Sequence, residues 1–242
     1  MLEIMSQRLN YLINGNWHGV GSNWLSKNLD SISDSIFNHV VQNENLSQIS
    51  SQLLLEGEMQ FSIAIKEKTG VNYSSNFDCE KGLASFLYAF ILTYRPSLVV
   101  ETGVANGITT NVMMKALEIT GGSLHSYDVD PRTKNVYSGN GLWYHHHLGG
   151  NLKKSLINEI SQLPKIDLWV HDSNHGYSWQ SFEFNLASKN LSSNGTLCAD
   201  DIDSSTAWGL ITPRNFQESA GVFDHRKMFG IATGSKVVEC ES

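Results

Sequence analysis

The sequence predicts an α/β fold, a doubly wound and mostly parallel sheet with helices on both faces. Three observations predict it. Short apolar runs alternate with helical stretches five times between Leu98 and Ala199. The first run, Leu98-Val99-Val100, is continuously apolar, as a strand buried on both faces must be. Polar residues with chemistry to offer follow directly after these runs, at the carboxyl ends of strands where such sheets bind ligands.

Composition narrows the alternatives. The chain has 242 residues and a formal net charge of −7. The length suits one α/β domain with a modest extension, and the charge argues against nucleic acid as the partner. No apolar run approaches the roughly 20 residues of a membrane span. The segment from Met1 to Arg8 lacks the basic flank and apolar core of a secretory signal. Cys79, Cys198 and Cys240 are scattered without metal-ligand spacing, as reduced thiols are. The expectation is a cytoplasmic protein that acts on a small molecule, with neither nucleic acid nor membrane as partner.

Residues 1–80 are expected to form a helical or irregular extension and residues 81–242 the main domain. The extension is polar, with loose helical spacing at Asp30 to Phe37 and at Leu46 to Leu55. Trp17, His18 and Trp24 read as aromatic anchors, and the segment as a lid over an acceptor pocket or a surface for a homodimer. From Lys81 to Tyr94, Leu83, Phe86, Leu87, Phe90, Ile91 and Tyr94 make one apolar stripe of a helix that Arg95-Pro96 ends.

After the first strand come Glu101, Thr102 and two glycines, Gly103 and Gly107, and then a helix from Ile108 to Thr120. Glycine lets backbone approach a ligand closely, and a helix start offers unpaired N–H groups, so the turn suits a nucleotide-like ligand. Gly121-Gly122 ends that helix, and Ser123 to Val129 reads as the second strand. Asp128 stands 21 residues beyond Gly107. That is where a carboxylate accepts the hydroxyl hydrogens of a ribose, with Asp130 in reserve.

The third strand is expected within Tyr144 to Gly150, followed by a helix from Leu152 to Gln162. His145, His146 and His147 alternate between faces of that strand, so they read as edge or surface residues rather than a metal site. Ile166 to Val170 is the fourth strand and runs into His171-Asp172-Ser173-Asn174-His175. Thr196 to Ala199 is the fifth and ends in Asp200-Asp201. Three carboxylates on neighbouring strand ends repel unless something positive lies between them. Mg²⁺ or another hard divalent cation suits Asp172, Asp200 and Asp201.

The turn Glu101-x-Gly103-x-x-x-Gly107 resembles the first motif of the class I S-adenosylmethionine-dependent methyltransferases. Asp172 with His175, Tyr177 and the Asp200-Asp201 pair is similar to the subgroup of metal-dependent O-methyltransferases that modify sugars and other natural products. The resemblance covers about Lys81 to Asp203. It implies a Rossmann-like, seven-stranded sheet closed by a C-terminal antiparallel strand pair, expected at Phe223 to Ile231 and Lys236 to Glu239. It implies S-adenosylmethionine held by Glu101, Thr102, Gly103, Gly107, Asp128, Asn151 and Asp172. Asn151 matches the position that contacts the adenine amino group. Metal ligation falls to Asp172, Asp200 and Asp201.

The implied reaction is methyl transfer to a small-molecule hydroxyl, with catalysis resting on Asp172 and His175. The subgroup often has an Asp where this chain has Asn174, which cannot accept a proton near neutrality. His175 beside it titrates in the right range. The competing readings are a metal-independent N- or O-methyltransferase, an iron-dependent oxygenase, and a cofactor-binding protein without catalysis.

Overall fold

The structure is a computed structural model that describes residues 48–68, 73–225 and 227–236. Trp17, His18, Trp24 and the stretch from Asp30 to Phe37 lie outside the described residues.

Seven strands form one sheet in the order β3-β2-β1-β4-β5-β7-β6. β1 (Leu98–Thr102), β2 (Ser123–Asp128), β3 (Leu142–His147), β4 (Ile166–His171) and β5 (Leu191–Ala199) run parallel to their neighbours. β6 (Phe216–Asp224) and β7 (Lys227–Ser235) form an antiparallel hairpin, and β7 also pairs antiparallel with β5. The sequence placed this pair too late, because Asp224-His225-Arg226-Lys227 was expected inside a strand. The strands divide there instead: β6 ends at Asp224, β7 begins at Lys227, and His225 has a φ of 55°.

Strand alternation splits the core in two. Val99, Leu168, Val170, Cys198 and Ile231 face α1 (Ser51–Lys66), α2 (Lys81–Tyr94) and α3 (Ile108–Thr120). Leu98, Val100, Trp169, Leu197 and Ala199 face α4 (Leu152–Ile160), α5 (Tyr177–Asn190) and α6 (Ala207–Asn215). With helices on both faces, β1 is buried along its whole length, which explains its unbroken apolar run. β3, at the sheet edge, is largely exposed or half-buried.

The helix α1 is longer than the short helical spacing at Leu46 to Leu55 suggested. It lies close on α2, where a Cβ on Gly57 would meet the Ser85 Cα at 2.7 Å. The N-terminus of α2 is capped from a distance: the Asp224 carboxylate accepts the N–H groups of Gly82 at 2.9 Å and Leu83 at 2.7 Å. No helix among the described residues is long and apolar enough to cross a membrane.

Candidate functional site

The carboxyl ends of β1, β2, β4 and β5 meet at one edge of the sheet, as parallel topology requires. Gly103, at a φ of 85°, turns the chain out of β1, and its N–H donates to the Tyr127 carbonyl at 2.9 Å. A Cβ there would stand 2.0 Å from the Asp172 carbonyl oxygen, so only glycine lets the turn pass beside the end of β4. Gly107, at a φ of 74°, precedes the first turn of α3.

Beside this turn lies a cavity of about 310 Å³, within the usual range for small-molecule sites. Thr102, Gly103 and Ala105 form its floor, and Tyr127, Asp128 and Val129 one wall. Leu148, Leu152 and Trp179 make it apolar opposite, and Tyr73 and Phe77 come in from the segment before α2. Asp128 Oδ2 accepts the N–H groups of Val104 at 2.7 Å and Ala105 at 3.3 Å, which ties the glycine turn to the end of β2. Asp130, the reserve ribose ligand, is held by Arg132 and accepts the Tyr73 hydroxyl at 2.6 Å. Its carboxyl lies below the usual range, chiefly because of the Arg132 guanidinium.

Two of the residues expected around the cofactor stand elsewhere. Glu101 is fully buried behind the turn, where its Oε2 accepts the hydroxyls of Thr110 at 2.7 Å and Ser126 at 2.6 Å. Its Oε1 has no partner, and burial pushes its carboxyl up to about 7. Asn151 caps α4 by accepting the Lys154 N–H at 3.2 Å, in an exposed position beside the cavity-lining Leu152.

A second cavity, of about 350 Å³, adjoins the first across Phe77, Ala105, Asp172, Ser173 and Asn174. Its far side is Asn76, His175, Asp201 and Lys227. The Nδ1 of His175 is 2.9 Å from Oδ2 of Asp201, and its Nε2, 3.9 Å from Asp172, has no hydrogen-bond partner. Asp172 Oδ2 accepts the Thr109 hydroxyl at 3.0 Å. Burial, and then the Asp200 charge, push the Asp172 carboxyl well above its ordinary range. Asp200, buried beneath it, is raised by burial and by Asp201.

One donor atom each from Asp172, His175 and Asp200 lies within 4.8 Å of the other two. A half-buried and a buried carboxylate, with an unpartnered imidazole nitrogen beside them, fit a divalent cation. Asp201, expected as a ligand, is turned instead toward His175 and Lys227.

Lys227 was not anticipated. Its Nζ is 3.0 Å from Asp200 Oδ2, 3.1 Å from Asp201 Oδ2 and 3.3 Å from the Asp78 carbonyl. Burial alone would lower its pKa, but the surrounding carboxylates reverse that and hold it above the usual lysine range. Glu183 of α5 was missed as well. It accepts from Thr102 at 2.6 Å, Ser173 at 2.8 Å and Trp179, and pairs with His171 at 2.6 Å. An acid on the buried stripe Gln180, Glu183, Phe184, Ala187 was the signal for it. Lys227, the first residue after a hairpin turn, gave none.

A larger cleft of about 540 Å³ lies at the opposite edge, by Pro96, Asp167, Ser192 and Gln217. The Asp167 carboxylate there accepts the Ser97 and Leu98 N–H groups, so the one acid in its wall is occupied in holding β1.

Residues 100–202 match the model of a family described as a methyltransferase domain. Among solved structures, the fold is similar to the SAH-bound methyltransferase PaMTH1 of Podospora anserina, at 11% identity and a TM-score of 0.54, over 76% of this chain and 88% of that one. It is also similar to MycE, a methyltransferase from the mycinamycin biosynthetic pathway solved in complex with Mg, SAH and mycinamycin VI. That match has 14% identity and a TM-score of 0.54, over 74% of this chain and 54% of that one. No curated protein matches the sequence.

Proposed function

We propose that this chain, a class I methyltransferase that draws on S-adenosylmethionine, moves the methyl group to a hydroxyl oxygen of a small molecule with the aid of a divalent cation. The observation that carries the reading is the pair of adjoining cavities with Asp172 at their junction and His175 in the wall of the second, between Asp172 and Asp201.

In the first cavity, the backbone from Thr102 to Ala105 cradles the amino-acid part of the cofactor, and Asp128 accepts the ribose hydroxyls. Leu148 and Leu152 take the apolar face of the base. Bound there, the cofactor supplies a methyl group on a positively charged sulfur, whose departure leaves S-adenosylhomocysteine (SAH). The second cavity takes the acceptor. Its walls set the hydroxyl oxygen in line with the carbon–sulfur bond, which supplies most of the rate by orientation.

His175 is the base. Asp201 fixes the ring through Nδ1 and leaves Nε2 free to take the hydroxyl proton as the oxygen–carbon bond forms. Asp172 and Asp200, whose oxygens cluster beside His175, would hold a cation such as Mg²⁺, whose positive charge lowers the pKa of the acceptor hydroxyl and leaves His175 Nε2 for the proton.

The test is a screen of hydroxylated acceptors with S-adenosylmethionine and Mg²⁺, read as SAH released. Acceptor-dependent SAH and an O-methylated product support the reading. Methylation at nitrogen, or turnover unaffected by EDTA, would refute the hydroxyl or the cation respectively.

A further inference from the structure

We infer that Lys227 is the built-in competitor of the divalent cation, so that the affinity of the acid site for metal is set by this one ammonium group. The inference rests on the cation in the reading above. Without metal, all three ammonium hydrogens have an acceptor: Asp200, Asp201 and the Asp78 carbonyl. Lys227 is therefore fully engaged where it stands, with only 12% of its side chain exposed.

Three carboxylates around one ammonium remain short of positive charge, which leaves room for a cation at Asp172 and Asp200. The cation and the ammonium then share Asp200. Two like charges about one side chain apart in a low-dielectric site repel strongly. Either the ion binds weakly beside Lys227, or Lys227 gives up Asp200 when the ion enters. In both cases the lysine lowers the affinity.

The distinction from a structural lysine is testable without knowing the acceptor. Free Mn²⁺ would be followed by electron paramagnetic resonance during titration of the full chain as wild type, Lys227→Met, Lys227→Gln and Lys227→Arg. Met removes the charge at similar length. Gln removes it and keeps a donor for Asp200 or Asp78, so one neutral variant remains if the other does not fold. A thermal shift with SAH checks that each variant retains its cofactor cavity.

The inference expects neutral variants to bind Mn²⁺ at least tenfold more tightly than wild type, with Arg close to wild type. Equal or weaker binding by folded neutral variants overturns it and leaves the proposed cation standing. Absence of Mn²⁺ uptake by all four proteins overturns both, while SAH binding continues to test the methyl-donor site separately.

Discussion

His175 Nδ1 lies 2.9 Å from Asp201 Oδ2, while its Nε2, 3.9 Å from the Asp172 that lines both cavities, meets no hydrogen-bond partner. One nitrogen is oriented and the other is left for a reacting proton, the arrangement of a positioned base. His175→Gln keeps a polar side chain of similar reach and removes the basic nitrogen. Methyl transfer should fall roughly 10²- to 10⁴-fold while SAH affinity changes little. A parallel loss of SAH affinity, seen by calorimetry, would assign His175 to cofactor binding instead.

Asp128 faces the cavity proposed for the cofactor and also receives the Val104 and Ala105 N–H groups. Asp128→Ala removes the ribose acceptor and loosens the turn that holds the rest of the cofactor. SAH affinity should drop by roughly a hundredfold, the value of two charge-assisted hydrogen bonds. Wild-type affinity in this variant would move the ribose to another residue.

Gly103 stands at a φ of 85° with its missing Cβ 2.0 Å from the Asp172 carbonyl. Gly103→Ala adds left-handed backbone strain of about 1–2 kcal/mol and a clash that only a shift of the β4 end relieves. Urea unfolding should show a loss above about 2 kcal/mol, together with weakened SAH binding. An unchanged midpoint would mean that the turn can relax away from β4.

Glu101 ties stability to pH. Burial lifts its carboxyl to about 7, above the unfolded value, so the folded chain holds this proton more tightly. Its contribution is therefore fully present at low pH and is lost as pH rises through about 7. Asp224, also lifted to about 7 by burial, acts in the same sense. Glu101→Gln should remove roughly 3 kcal/mol of the decline between pH 4.5 and 7.5, measured as the difference from wild type in urea midpoints. Parallel pH profiles for the two proteins would contradict this assignment.

The sequence made the parallel sheet legible because β1 and β4 are buried on both faces and so carry the apolar runs Leu98 to Val100 and Leu168 to Val170. It also put Gly103, Asp128 and Asp172 at or just past strand ends, where the structure has them, with His175 three residues beyond Asp172. The hairpin was misplaced because β6 and β7 are buried strands without alternation, and only the turn at His225 divides them. Glu101 looked like a site residue because it ends a strand. Strand alternation turns it inward, where Thr110 of α3 and Ser126 of β2 donate to its Oε2. Lys227 could not be read at all: it meets Asp200 and Asp201 through the antiparallel return of β7, a long-range contact with no local pattern.

The account stands most directly on the first cavity, and SAH binding to the full chain tests it. At about 100 times its dissociation constant, SAH should stabilise the wild-type fold by roughly 2.7 kcal/mol, with most of that shift lost in Asp128→Ala. No stabilisation of the wild type at millimolar SAH would contradict the account.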